Sequence, residues 1–334
     1  MKRLFLMLAL LAFASCAREG YVIDGRIDGL EGNISLVDMF DHVITSTTIK
    51  DGRFRFEGAV DTPQLMYINN GLGQEYPMDT PVLVENVRIR VRGDVQTYDI
   101  SVSGTPANEN MTEYIRKKKQ LDEMDIESYA SLVKETFYDN HDNLLGAMLI
   151  SNLAPYVSSE ELLACCEMLP DYLRGSKVVN HYETFARAKV NTAVGQRFSD
   201  FEIMNQDGKA VTLSSAVESN EVTVLVVWAT WARLASSTLS SYVDICRPYE
   251  SRGLSMFCVS LDYNKSAWAS ISEETGIFGI NICDTTEKGQ EIADLYGIDG
   301  MPRAVVIDGD GTIIGRCYEE TELEEVLKGH FDNR

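Results

Sequence analysis

The chain has no Cys-x-x-Cys pair, although it contains seven cysteines in 334 residues. Cys165 and Cys166 are adjacent, while Cys246, Cys258, Cys283 and Cys317 stand far apart. Neither spacing suits a zinc site, and a vicinal redox pair at Cys165-Cys166 stands as the alternative to buried packing. Histidine is scarce: His42, His141, His181 and His330 are scattered without metal-ligand spacing. An excess of basic residues is missing as well. The formal net charge of -21 argues against nucleic-acid binding, which needs clustered Lys and Arg on phosphates. It describes a solvated, self-repelling surface instead. There is no glycine-rich phosphate loop and no hydrolase nucleophile elbow. Asp308-Gly309-Asp310-Gly311-Thr312 has a calcium-loop look. Ile313 stands where such a loop needs glycine for its sharp turn, so the stretch reads as a hairpin turn. No apolar run is long enough to cross a membrane, and no cofactor is expected.

What is present begins with a targeting pattern. Lys2 and Arg3 precede the apolar run Leu4 to Ala14, which ends at Phe13-Ala14-Ser15-Cys16. This resembles the lipobox of bacterial lipoproteins, although Leu is commoner than Phe at the Phe13 position. The resemblance implies removal of residues 1–15 and lipidation of Cys16, with plain secretory cleavage as the alternative. Several acyl chains on Cys16 would hold the protein stably on a membrane, since one chain binds only marginally. The expected place is the bacterial cell envelope, facing the periplasm or on the cell surface. That compartment is oxidising, so most of the remaining cysteines read as buried thiols.

The rest of the chain divides into three parts. Residues 16–105 carry short alternating strands. Val87-Arg88-Ile89-Arg90-Val91-Arg92 puts apolar residues on one face and arginines on the other, and Arg53-Phe54-Arg55-Phe56 repeats this after an Asp51-Gly52 turn. An antiparallel β-sandwich follows from such runs. The stripe of Arg88, Arg90 and Arg92 reads as the solvated side of a strand, with a binding face as the alternative. Residues 106–192 change to a helical period and read as a helical connector. Ser158-Ser159-Glu160-Glu161 is a capping box, and Asn143 to Leu153 is a helix stopped before Pro155. Cys165-Cys166 falls within a helix, which buries at least one of them. Residues 193–334 alternate strand and helix. Val222 to Trp228 is a strand covered on both faces, a helix spans Arg233 to Tyr249, and Leu254 to Leu261 is the next strand. Further helices span Ala267 to Thr275 and Gln290 to Tyr296. Ala304 to Ile307 and Thr312 to Cys317 form a hairpin, and a last helix starts near Thr321.

This third part resembles the thioredoxin-like thiol–disulfide oxidoreductases of the alkyl hydroperoxide reductase and thiol-specific antioxidant branch. Val194-Gly195-Gln196-Arg197-Phe198-Ser199-Asp200-Phe201 matches the entry strand and Gln206-Asp207-Gly208-Lys209 the first hairpin. Val227-Trp228-Ala229-Thr230-Trp231 leads into the active site. Ser260-Leu261-Asp262 and Ala267-Trp268 follow, and Tyr296-Gly297-Ile298-Asp299-Gly300-Met301-Pro302 matches the loop carrying a cis-proline. The first part resembles the β-rich domain of unknown function that precedes such domains in envelope lipoproteins. The residues are Gly25-Arg26-Ile27-Asp28-Gly29, Ile49-Lys50-Asp51-Gly52-Arg53-Phe54, Leu83-Val84-Glu85-Asn86 and Ser103-Gly104-Thr105. The implied architecture is multi-domain: an antiparallel β-sandwich, a helical connector and a C-terminal α/β thioredoxin-like fold.

The resemblance places Ala232 and Ala235 on the two active-site cysteine positions. A cysteine there attacks as a thiolate stabilised by a helix N-terminus, and a second cysteine one turn on resolves the mixed disulfide. A methyl group does neither. Thr238-Leu239-Ser240 also replaces the family's usual acidic residue and proline, so the divergence extends beyond the two alanines. Trp231, Arg233, Met301 and Pro302 remain as residues that could hold an extended peptide or an envelope protein. The leading reading is a redox-inactive binding or accessory protein. Two alternatives stand beside it: an enzyme using another cysteine, with Cys283 and Cys317 the candidates, and a structural envelope scaffold.

Overall fold

The computed structural model describes residues 20–71, 77–122 and 125–332. The expected leader, and Cys16 as the expected lipidation residue, lie outside the described residues. Strands β1 (Tyr21–Asp28), β2 (Asn33–Val37), β3 (Val43–Thr48), β4 (Arg53–Gly58), β5 (Gln64–Asn69), β6 (Asp79–Val84), β7 (Arg88–Asp94) and β8 (Asp99–Ser103) come first. They form two four-stranded sheets, ordered β4-β1-β7-β8 and β3-β2-β5-β6. The sheets share one core, which includes Ile23, Ile27, Phe56 and Val91 from one and Ile34, Leu36, Ile68 and Val82 from the other. Strict alternation produces this: Phe54 and Phe56 are buried while Arg53 and Arg55 are exposed. The expected turn is present, with Asp51 at φ 52 and Gly52 at φ 69, the left-handed pair a tight hairpin needs. One pairing departs from the antiparallel expectation, since β1 and β7 run parallel. A parallel pair joins strands distant in sequence, and no turn motif announces it.

The helices are α1 (Pro106–Gln120), α2 (Ile126–Tyr138), α3 (Leu144–Leu153), α4 (Ser159–Met168), α5 (Asp171–Arg174) and α6 (Lys177–Asn191). Thr105 caps α1 by accepting from the Asn108 N–H at 3.2 Å, Asn143 caps α3, and Ser158 accepts from the Glu161 N–H at 3.1 Å. Cys165 and Cys166 are both buried. The helical stretch does not stand as a body of its own. The residues up to Tyr156 and Cys165–Val179 belong to one compact unit, and Val157–Ala164 with the residues from Asn180 onward belong to the other.

The second unit contains β9 (Glu202–Met204), β10 (Ala210–Thr212), α7 (Leu213–Ser219), β11 (Val222–Trp228), α8 (Ala235–Cys246), β12 (Leu254–Ser260), α9 (Lys265–Thr275), β13 (Ile280–Cys283), α10 (Lys288–Leu295), β14 (Arg303–Asp308), β15 (Ile313–Cys317) and α11 (Glu320–Phe331). A five-stranded sheet is ordered β13-β12-β11-β14-β15. β11, β12 and β13 are parallel, while β14 and β15 run antiparallel. Every residue of β11 is buried. Leu213, Val217, Ile292 and Tyr296 cover one sheet face, and Leu239, Tyr242, Leu323 and Leu327 cover the other. This is the thioredoxin-like α/β arrangement. The Asp308–Thr312 stretch is a hairpin turn, with Asp308 Oδ1 accepting from the Asp310 and Thr312 N–H groups at 3.1 and 2.9 Å.

Two elements differ from the sequence expectation. The entry segment 194–201 is not a regular strand. It touches the sheet through a single bridge, Arg197 to Thr312, and isolated bonds such as Phe198 N–H to Gly311 O at 2.9 Å. The helix expected from Arg233 starts at Ala235, because Leu234 sits in the left-handed region at φ 60. It ends at Cys246 and passes into a 3-10 turn over Arg247–Arg252. No described helix is long and apolar enough to cross a membrane.

Candidate functional site

The site forms where β11 and β12 end and the loop before β14 returns. β11 delivers Ala229-Thr230-Trp231-Ala232 past the edge of the sheet. Thr230 fixes that loop from below: its N–H donates to both Asp262 carboxylate oxygens at 3.1 and 2.9 Å, and its hydroxyl donates to Oδ1 at 2.6 Å. Ser260 Oγ donates to the other oxygen at 2.6 Å. Asp262 is buried, and this set of donors satisfies it. The chain then turns, with the Ala232 N–H on Ala229 O at 3.1 Å and the Ala235 N–H on Ala232 O at 3.2 Å. Helix α8 starts there.

The loop opposite is held with similar firmness. Arg316 donates to Thr192 Oγ1 at 2.6 Å and to Tyr296 O at 2.7 Å. Its burial pulls the guanidinium pKa downward. The Tyr296 hydroxyl donates to Ser199 O at 2.6 Å, and Lys189 pairs with Asp299 at 3.0 Å. Arg303 donates to Pro302 O at 3.2 Å and lies over the Tyr318 ring at 4.8 Å. These bonds place Met301 and Pro302, whose peptide bond is cis.

The structure brings Ala232 and Met301 against the same side of the core. Ala235 is buried as the first residue of α8, Pro302 is buried, and Arg233 is exposed. Trp231 is 66% exposed, and two neighbours that the sequence reading did not single out are as open: Leu234 at 65% and Tyr263 at 75%. Tyr263 follows Asp262, so the carboxylate that holds Thr230 also brings both aromatic side chains to this end of the sheet. The only signal for Tyr263 was its place directly after the Ser260-Leu261-Asp262 match.

The thiols offer little chemistry. Cys283 ends β13 and donates to Asp262 O at 3.2 Å, and burial pushes its pKa up. Cys246 and Cys317 are pushed up to about 12 by burial, and Cys258 is raised further for the same reason. Attack on a disulfide needs the thiolate, which these surroundings suppress. Among the described residues no group of three or more His, Cys, Asp or Glu could hold a metal ion.

Known families match both units. Residues 194–316 match the AhpC/TSA family, and residues 21–111 match a domain of unknown function, DUF4369. Thiol-disulfide oxidoreductase ResA of Bacillus thuringiensis (strain Al Hakam) is 22% identical over 159 residues, spanning 48% of this chain and 88% of that relative. Among solved structures, a thiol-disulfide oxidoreductase from Bacteroides fragilis is 22% identical with a TM-score of 0.37, covering 40% of this chain and 98% of that one. The thioredoxin domain of an oxidoreductase from Bacteroides vulgatus is 15% identical with a TM-score of 0.37, covering 41% and 96%. The second unit thus matches the AhpC/TSA family over residues 194–316 and is thioredoxin-like, with a DUF4369 match preceding it over residues 21–111.

Proposed function

We propose that this protein is a lipid-anchored, redox-inactive member of its family that works as a binding or accessory protein of the bacterial cell envelope. The reading rests on Ala232 and Ala235 standing where the resemblance puts the family's two cysteines, at the start of α8 in a thioredoxin-like frame. The N-terminal end of α8 offers the partial positive charge that stabilises a thiolate, and the methyl groups give it nothing to stabilise. The thiols elsewhere support the same conclusion: the six described cysteines are all buried, and burial raises the pKa of Cys246, Cys258, Cys283 and Cys317, the opposite of what a reactive cysteine needs. Trp231, Leu234 and Tyr263 supply exposed apolar surface near the start of α8, and an extended peptide is the chemistry that suits it. The lipobox-like Phe13-Ala14-Ser15-Cys16 supports the anchor.

Insulin-disulfide reduction tests the assignment. The natural chain is expected to be inactive and the Ala232→Cys/Ala235→Cys variant active, with its new pair reducible by dithiothreitol. Activity in the natural chain would mean that another cysteine has taken over. Failure of the variant pair to form a disulfide would overturn the placement of the two alanines.

A further inference from the structure

The outer face of the sheet ordered β4-β1-β7-β8 carries its arginines in rows across strands. In one row Arg55 and Arg90 flank Asp24. In the next, Arg53, Arg26 and Arg92 stand side by side on three neighbouring strands. Like charges directly opposite one another destabilise a sheet, so this row works against the fold that presents it. Asp24 compensates in part, pairing with Arg55 at 2.9 Å and Arg88 at 3.0 Å, and Arg26 pairs with Asp28 at 3.3 Å. Among the described residues Arg53 and Arg90 make no ion pair. All these arginines are exposed, on a chain whose formal net charge is -21.

The face is polarised along its strands. The row holding Val22 pairs it with Arg88 and Glu57, and the two arginine-rich rows come next. The row at the far end reverses sign, with Asp28, Asp94 and Asp99 in register. The two basic rows therefore occupy the middle of β1, the Arg26 row directly beside the acidic one. Cys16 is five residues before Tyr21, and at ~3.3–3.6 Å per residue that tether spans no more than about 18 Å.

We infer that the basic rows of this face dock on the anionic phospholipid headgroups of the membrane to which Cys16 is attached. The inference rests on the anchor reading above. Juxtamembrane basic residues are attracted to an anionic bilayer, and the attraction dies away within a Debye length of ~8–10 Å. A tether of this length lets the face lie against the bilayer, which brings its arginines within that range. The rest of this acidic chain is repelled by the same surface, so the charge separation would orient the domain as well as hold it.

The test reads the face without the anchor. The chain from residue 16 onward, carrying Cys16→Ser, is sedimented with vesicles of phosphatidylcholine alone or mixed with phosphatidylglycerol. Binding is expected only to the mixed vesicles, weakened by added salt. Arg26→Gln/Arg53→Gln/Arg90→Gln should lower it about tenfold or more, while Lys117→Gln/Lys118→Gln/Lys119→Gln, on the last turn of α1, should change it little. Circular dichroism confirms that each variant is folded. No binding to the mixed vesicles, or loss with the lysine triple and not the arginine triple, would overturn the inference. Loss of acylation at Cys16 in cells is a separate measurement and would refute the anchor alone.

Discussion

Asp262 holds the loop that carries Trp231. Its carboxylate takes the Thr230 N–H, the Thr230 hydroxyl and the Ser260 hydroxyl while buried. Removing it leaves three donors without an acceptor inside the protein, and each orphaned buried group costs about 1–3 kcal/mol. Asp262→Ala is therefore expected to destabilise the protein by about 3 kcal/mol in urea unfolding and to loosen the Trp231 loop. A cost below about 1 kcal/mol would show that the loop is held by packing instead. Ala232 and Ala235 take their place only from the resemblance, in which Trp228 and Trp231 mark the frame around them. Asp262 was legible only as one residue of a matched segment, since its partner Thr230 lies far from it in sequence. The left-handed Leu234 was not legible at all. Nothing about leucine announces φ 60, a conformation that usually selects glycine or asparagine, and the start of α8 was misplaced for that reason.

At the scale of elements, α1 works as a plug for the sandwich. The buried Asn108 amide accepts from the Leu83 N–H at 3.0 Å and donates to Leu83 O at 2.8 Å, as a neighbouring strand would. Thr112 treats Val102 likewise, accepting at 2.9 Å and donating at 3.0 Å. β6 and β8 are edge strands of different sheets, so one helix satisfies an open edge of each. Asn108→Leu keeps the branched shape of the side chain but abandons both Leu83 groups, and should cost about 2–4 kcal/mol in chemical denaturation. Thr112→Val, at a half-buried position, should cost less. Alternating strands and capped helices could be read from sequence because their signals are local: period two, Asp51-Gly52, Ser158 before Glu161. The parallel β1–β7 pair and the plug could not, because both join segments by contacts that no short window contains. The 194–201 segment is expected as a strand only through its match to the family's entry strand, yet its backbone bonds to the sheet at scattered points only.

For the molecule as a whole, the fate of its sulfur separates a binding protein from an enzyme. Cys246, Cys258 and Cys317 lie in one apolar cluster between the second unit's sheet and helices α8 and α11. Burial there raises Cys246 and Cys317 from the ordinary value of 9 to about 12. Below about pH 9 these thiols are protonated whether the chain is folded or not, so they add no pH dependence. Between about 9 and 12 the unfolded chain releases protons that the folded chain keeps. Stability present at neutral pH is therefore lost as pH rises through that window. Tyr242 and Tyr296, whose phenols burial also raises, act in the same direction. The urea midpoint is expected to fall steadily above about pH 9, and less steeply in Cys317→Ala. Iodoacetamide at neutral pH should label the folded chain no faster than the chain opens, because the reactive thiolate is nearly absent from the native state. Rapid labelling of Cys283 or Cys317 in the folded protein would contradict this, and would give the chain a usable nucleophile despite Ala232 and Ala235.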